Sequence, residues 1–470
     1  MKRINIVLVS LASASVAMAA DVTITSGQLS SLINDGNLQS EVSLKLTGHI
    51  DARDLAAIEK LPESIKTLDL SATTIDGLVM SSREYFGRSL FKEGEIPAYT
   101  FFKSPIETLL LPAQVSAIGE GAFAASQLKS IIIPEGVTAI SDYAFYGCPA
   151  LESISLPATL TSLGKGSFGN CTSLKQISLA GTQVDEIPER AFAGAVQLNS
   201  IVLPADLRKV GREAFSHTML ANLDLSNVVE FEPFALSGMP YLENLSINSK
   251  ATMPVGLLMD DTSLISLTGA PEIIPDYFAA NCTSLDTQTA VTNAITMGKY
   301  AFANNTIEEL ILSPGLRSLD QGVISGMTNL KRIDASSLKG EIPEVDETTF
   351  EGIVQENVIL YVTDDDFHLW KADPVWRLFF LMSDTKVGVD SPVAPVESGI
   401  TIALRGNMLV VESPEYINDV RIYTTDGRML FTANPVDTRF ELATDNFPSG
   451  VLVVVAGDAA GNKKNVSILR

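Results

Sequence analysis

Residues 121–140 read Gly121-Ala-Phe-Ala-Ala-Ser-Gln-Leu-Lys-Ser-Ile-Ile-Ile-Pro-Glu-Gly-Val-Thr-Ala-Ile140. Three things follow one another there: a small-residue turn around Phe123, an alternating run Leu128 to Ile133 closed by Pro134, and a second apolar piece, Val137 to Ile140. The phrase returns with Phe145, Phe168, Phe192, Phe215 and Phe302 in the place of Phe123, the first five at intervals of 22, 23, 24 and 23 residues. A fixed period of this size marks a leucine-rich-repeat solenoid. One unit cannot bury its own apolar side, and stacking joins the units into a shared interior.

Working outward, the leucine phrase recurs at Leu151, Leu174, Leu198, Leu220, Leu242, Ile307 and Leu330. Within each copy the fourth and sixth residues are apolar and their neighbours polar or small, which predicts a short parallel strand aiming two side chains inward. Pro112, Pro134, Pro157 and Pro204 follow four of these strands, where a missing N–H ends a ladder. The expected fold is a β-rich leucine-rich-repeat solenoid with short 3₁₀ or helical turns, its phenylalanines in a column. The array is expected over 100–362, loosened between Val228 and Val291, where Leu236 and Leu258 take the Phe position and Thr287–Val291 reads as a polar strand.

The flanks differ. Met1-Lys2-Arg3, an apolar run to Val16 and Ala17-Met18-Ala19 predict a secretory signal over 1–19. A capping segment with a first repeat-like strand is expected over 20–99. Both tryptophans fall in 363–382, expected to close the array, with Asp364 to Asp366 either a helix cap or a loose cation site. A linker is expected over 383–398 from its Pro and Ser content, and a small all-β sandwich of short strands over 399–470.

Formal charge is −23. So acidic a chain repels phosphate backbones, and nucleic acid is not an expected partner. Beyond the signal no apolar run is long enough to span a bilayer. Cys148, Cys171 and Cys282, the only cysteines, all stand three or four residues after a Phe. The first two lie one repeat apart, so they either bridge neighbouring coils or each fill a turn as a small apolar residue.

The three histidines, His49, His217 and His368, stand in unrelated settings, and no nucleophile, phosphate-loop or metal-ligand motif occurs. The expectation is no catalytic residues, no cofactor and no metal. The outward column of the strands reads Ile132, Ser155, Ser178, Val202, Asp224, Ser246, Ile311 and Asp334. Trp, Tyr and Arg, which anchor tight interfaces, are missing from it, so only a broad polar contact is expected on that face.

The phrase from Gly121 to Ile140 resembles the BspA-type leucine-rich repeats of Bacteroidetes surface proteins, and Leu360-Tyr-Val with Trp370, Trp376 and Phe379 is similar to the segment that closes many such arrays. That resemblance implies export and adhesion at the cell surface. The last module resembles type IX secretion sorting domains at Asp426-Gly427-Arg428, Phe447-Pro448-Ser-Gly450-Val451 and Lys463-Lys464, which implies a sorting role for Gly427, Arg428, Pro448, Gly450, Lys463 and Lys464. The expected function is an exported, cell-surface or secreted, adhesin-like protein that presents its solenoid to protein or glycan partners. The rival expectation is a spacer of the cell envelope without a host ligand.

Overall fold

The computed structural model describes residues 6–7, 19–79, 90–383, 387–388, 400–405, 407–424, 428–448, 451–460 and 463–469. Most of the expected signal, most of the expected linker, Gly427 and Gly450 lie outside them. The chain divides into two units, residues 1–269 with 277–284 and residues 270–276 with 285–470.

In the first unit the repeats are rungs joined along three ladders, two of strands, which are divided among separate sheets, and one of turns. The first ladder is a parallel sheet that runs through Ala19–Ile24, Ser43–Ile50, Thr67–Ile75, Thr108–Leu110, Ser130–Ile132 and Ser153–Ser155. The leading segment, expected as a lid, thus supplies rungs of the same sheet with longer strands. Its helix Ala52–Ala57 starts from a capping box, with Asp51 accepting from Arg53 N at 2.9 Å and Asp54 from Asp51 N at 3.0 Å. Alternation does what the pattern demands: Ile131 and Ile133 are buried while Ile132 between them is 73% exposed. The second ladder joins Glu95–Ile96, Ala117–Ile118, Ala139–Ile140 and Ser162–Leu163, again in parallel.

The third ladder is made by the turns. Around Phe145, Tyr143 has φ 57° and Gly147 φ 69°; around Phe168, Gly166 and Asn170 both have φ 55°. With a left-handed residue on each side of the Phe, alternate N–H groups point along the stack. Tyr143, Phe145 and Gly147 donate to the carbonyls of Lys165, Ser167 and Gly169 at 2.8, 2.8 and 2.7 Å. This register fixes the phenylalanines above one another. Successive rings of Phe101, Phe123, Phe145, Phe168, Phe192 and Phe215 lie 4.9–5.7 Å apart with planes within 12°, all buried. Each such pair adds about 0.5–1.5 kcal/mol beyond the area it buries.

The cysteines close these turns as free thiols. Cys148, Cys171 and Cys282 donate to the carbonyls of Phe123, Phe145 and Leu258, each at 3.0 Å, so the alternative of a Cys148–Cys171 bridge is not the one adopted. Burial pushes the thiols of Cys171 and Cys282 well above their ordinary range.

In the second unit Thr287–Val291 is an α-helix, against the strand expected there. Asp286 accepts from Gln288 N at 3.1 Å and starts the helix, which buries Thr287, Ala290 and Val291. A parallel sheet then runs through Glu309–Ile311, Arg332–Asp334, Ile359–Tyr361 and Phe380–Met382. Trp370 and Trp376 are buried edge to face, centroids 5.0 Å apart, with Trp376 Nε1 donating to the Pro343 carbonyl at 3.1 Å. Asp366 stands before the helix Phe367–Ala372, but its carboxylate takes the Thr363 hydroxyl at 2.8 Å and no helix N–H, which corrects the expected side-chain cap.

The last module is antiparallel and all-β. Short strands are present as expected, and one longer strand, Met408–Thr424, links most of them. Its first half pairs with Thr401–Arg405 and Asp437–Ala443, its second with Met429–Ala433 and Val451–Asp458, and Lys463–Leu469 adds to the last of these. Leu409, Val411, Ile417, Val420, Ile422 and Val454 form its interior.

Candidate binding surface

The strand side of the array is a poor anchor. Its outward column is mainly polar, with Leu110 and Ile132 side by side and Val202 and Ile311 apart from them, and exposed ion pairs run between rungs: Lys129 with Glu107 at 2.6 Å, Lys175 with Glu152 at 3.4 Å. Exposed pairs of this kind contribute little and interact already with each other rather than with a partner. On the second-strand side Lys209 sits among Glu186, Glu230 and Glu232, at 3.4, 3.4 and 3.0 Å, and the Glu232 contact raises its ammonium above the ordinary range.

The turn side is different. The left-handed position two residues before Phe101 and before Phe145 carries its side chain outward, as does the residue after each of these two. Those positions hold Tyr99 and Phe102 (54% and 45% exposed), then, two rungs on, Tyr143 and Tyr146 (45% and 41%). Each pair meets edge to face, centroids 6.0 and 5.7 Å apart. The rung between offers Gly121, Ala122, Ala124 and Ala125, and the rung beyond offers Gly166 and Gly169. Glycine is required at two of these places. A Cβ on Gly121 would lie 2.5 Å from the Tyr99 ring, and one on Gly166 2.8 Å from the Tyr143 ring, besides the φ of 55° at both.

Further along the same side of this unit is a groove of about 600 Å³. Arg212 lies over the Phe234 ring at 5.5 Å, and Glu213, His217, Met259 and Asp260 complete the walls. Asp260 accepts from Asn281 Nδ2 at 2.6 Å. Ser216 Oγ and His217 Nδ1 are 2.7 Å apart at the groove wall, with Ser216 itself 7% exposed. His49 pairs with Asp76 at 3.1 Å and His368 with the Asp365 carbonyl at 2.9 Å, far along the chain from either aromatic pair. Among the described residues no group of three or more His, Cys, Asp or Glu is placed to hold a metal ion.

Of the sorting-type residues, Arg428, Pro448, Lys463 and Lys464 are among the described residues. The Arg428 carbonyl accepts from Thr424 N at 2.9 Å at a hairpin, Pro448 is exposed, and Lys463 and Lys464 pair with Gly457 and Ala456 in the last strand. Among the described residues no helix is long and apolar enough to cross a membrane.

The aromatic pairs were readable as letters: Tyr143-Ala-Phe145-Tyr146 stands in the repeat phrase itself. Strand alternation gave no hint of which letters point outward, because the outward direction is set by the left-handed turn.

Comparison with known families matches the BspA type leucine rich repeat region, in six copies, to residues 94–219, 180–268 and 259–361, more than half of the chain together. Comparison with curated proteins gives no match. Among solved structures, a leucine-rich repeat protein of Bacteroides ovatus is 24% identical over 62% of this chain and 78% of that one, with a TM-score of 0.46. A leucine rich cell surface protein of Faecalibacterium prausnitzii is 19% identical over 61% and 81%, TM-score 0.36. The pneumococcal vaccine antigen PcpA is 15% identical over 75% and 80%, TM-score 0.37.

Proposed function

The chain belongs to the BspA-type leucine-rich repeat family, and from that premise we propose that it is an exported, surface-located or secreted binding protein, adhesin-like, whose solenoid engages protein or glycan partners. The observation that carries this reading is the pair of exposed aromatic clusters on the turn side, Tyr99 with Phe102 and Tyr143 with Tyr146, set on a rigid array whose strand side is mainly polar and internally ion-paired. Large rings held in place cover much contact area at low entropic cost, which is what binding surfaces need.

Export rests on the signal-like residues 1–19, and a sorting role for residues 399–470 on the motif around Arg428, Pro448 and Lys464. The test is direct. Purified chain lacking residues 1–19 is applied to immobilised matrix proteins and glycans beside an unrelated acidic protein. Retention above that control supports the binding role; none leaves the envelope-spacer reading in its place.

A further inference from the structure

We propose that the two aromatic pairs form one site for a neutral polysaccharide of β-linked hexopyranoses, laid along the turn side of the stack; this rests on the binding role proposed above and names its ligand class.

The rings are fixed before any ligand arrives. Tyr99 Oη donates to Glu120 Oε1 at 2.7 Å, and Asn170 Nδ2 donates to Tyr146 Oη at 2.6 Å. Tyr99 and Tyr143 lie against the bare Cα atoms of Gly121 and Gly166, and Tyr146 against Gly169, where a Cβ would come within 3.0 Å. Their partners Phe102 and Tyr146 brace them edge-on. A ligand meets surfaces that need no further ordering, so little of its binding energy is lost to that cost.

Spacing selects a polymer. The pairs stand two rungs apart, which at strand spacing is about 9–10 Å. In an extended β-linked hexopyranose chain every second ring presents the same apolar C–H face, at a repeat comparable with that step. At the two equivalent positions the intervening rung has Gly121 and Ala124, so no third large ring stands between the pairs. Tyrosine hydroxyls and the Glu120 and Asn170 side chains beside them supply polar partners for sugar hydroxyls.

Two further observations narrow the class. A chain of formal charge −23 disfavours sulfated or uronic polymers, so the ligand is neutral. A folded protein partner is also disfavoured, since a specific interface needs roughly 800 Å² per side with a continuous apolar centre. Here the apolar area is broken into two separate teeth by the small-residue rung.

The experiment uses the chain without residues 1–19 and isothermal titration with cello-, chito- and manno-hexaoses, their disaccharides, heparin and matrix proteins. At least one neutral hexasaccharide is expected to bind ten-fold or more tightly than its disaccharide and more tightly than heparin. Tyr143→Ala and Tyr146→Ala are expected to weaken it at least ten-fold, and Tyr241→Ala, an exposed ring away from the pairs, to leave it unchanged. Tyr146 lies outside the left-handed region, so its variant adds no backbone change there, and thermal melting of each variant separates lost folding from lost binding. Hexasaccharide binding indifferent to both substitutions, or binding of a protein alone, overturns the glycan site and leaves the binding role standing. No binding to any probe overturns both.

Discussion

The rings of Phe380 and Tyr423 stack with centroids 5.5 Å apart and planes 30° apart. Phe380 belongs to the last strand of the parallel array and Tyr423 to the long strand of the C-terminal module, so the contact joins two parts of the second unit. It does not stand alone: Ile359, Met382, Val453 and Val455 are buried around it, Tyr361 packs at its edge, and Arg421 donates to Asn357 Oδ1 at 2.8 Å. In Ile359–Tyr361 and Phe380–Met382 the array turns apolar side chains outward and the module covers them.

Phe380→Ala should therefore cost about 3–5 kcal/mol of stability, as for other large buried rings. A chain ending before residue 400 should bind a hydrophobic dye and self-associate, because Ile359, Phe380 and Met382 become exposed. Denaturant titration and light scattering check the two statements; a truncated chain that stays monomeric and dye-free contradicts the shared interior.

Along the Phe column, Phe168→Ala should destabilise by about 3–5 kcal/mol and Phe168→Leu by clearly less. Leu236 and Leu258 already hold the equivalent place in their own turns, fully buried. Equal losses for the two variants, measured by chemical denaturation, would contradict volume filling as the larger part of what Phe168 contributes.

Asp261 occupies the same place in its turn as Cys148 and Cys171 in theirs. It is fully buried, its Oδ1 accepts from Met239 N at 2.7 Å, its Oδ2 has no hydrogen-bond partner, and burial holds its carboxyl well above the ordinary carboxylate range. A raised folded-state value means that the unfolded chain gives up this proton first. The stability associated with it is whole below about pH 4 and is lost as pH rises towards the folded value. Asp261→Cys should then raise stability at pH 7 by about 1–3 kcal/mol, and the gain should shrink near pH 4. Melting curves at the two pH values decide it, and a gain that is the same at both would refute the account.

The thiols give a simpler prediction. Because all three are buried and donate to carbonyls, none should react with an alkylating reagent in the folded chain and all three should react after unfolding, without prior reduction. Mass spectrometry reads the count directly.

Gly166→Ala tests the seat of Tyr143 without touching any ring. The added methyl would lie 2.8 Å from that ring at a φ of 55°, so the ring must move and stability should fall by about 1–2 kcal/mol. Hexasaccharide binding by this variant should fall together with that of Tyr143→Ala.

The repeat period made the solenoid and the Phe column legible, since every copy states the same inside and outside. Legibility failed where a second surface or an unusual backbone decided the outcome. Phe380-Leu381-Met382 falls in the segment expected only to close the array; three apolar residues in a row there mark a strand buried on both faces, a signal of covering that single-sided alternation does not carry. Thr287–Val291 lacks any alternation, and Asp286 before it was the available helix signal. Tyr143 and Tyr146 were seen as letters of a phrase and not as a surface, because their direction follows from left-handed φ values that no composition states.

In the turn ladder every donor of one rung faces the acceptors of the next in the same sense, so the two boundaries of a regular rung are complementary and recur unchanged from copy to copy. A segment of 22 to 24 residues can be duplicated or deleted whole without presenting a new boundary, and the intervals of 22, 23 and 24 along the Phe column show that one residue more or less is taken up between the ladders while the turn pairing is kept. Lineages of this chain are thus free to vary in copy number, and the spacing between aromatic teeth can change only in whole steps.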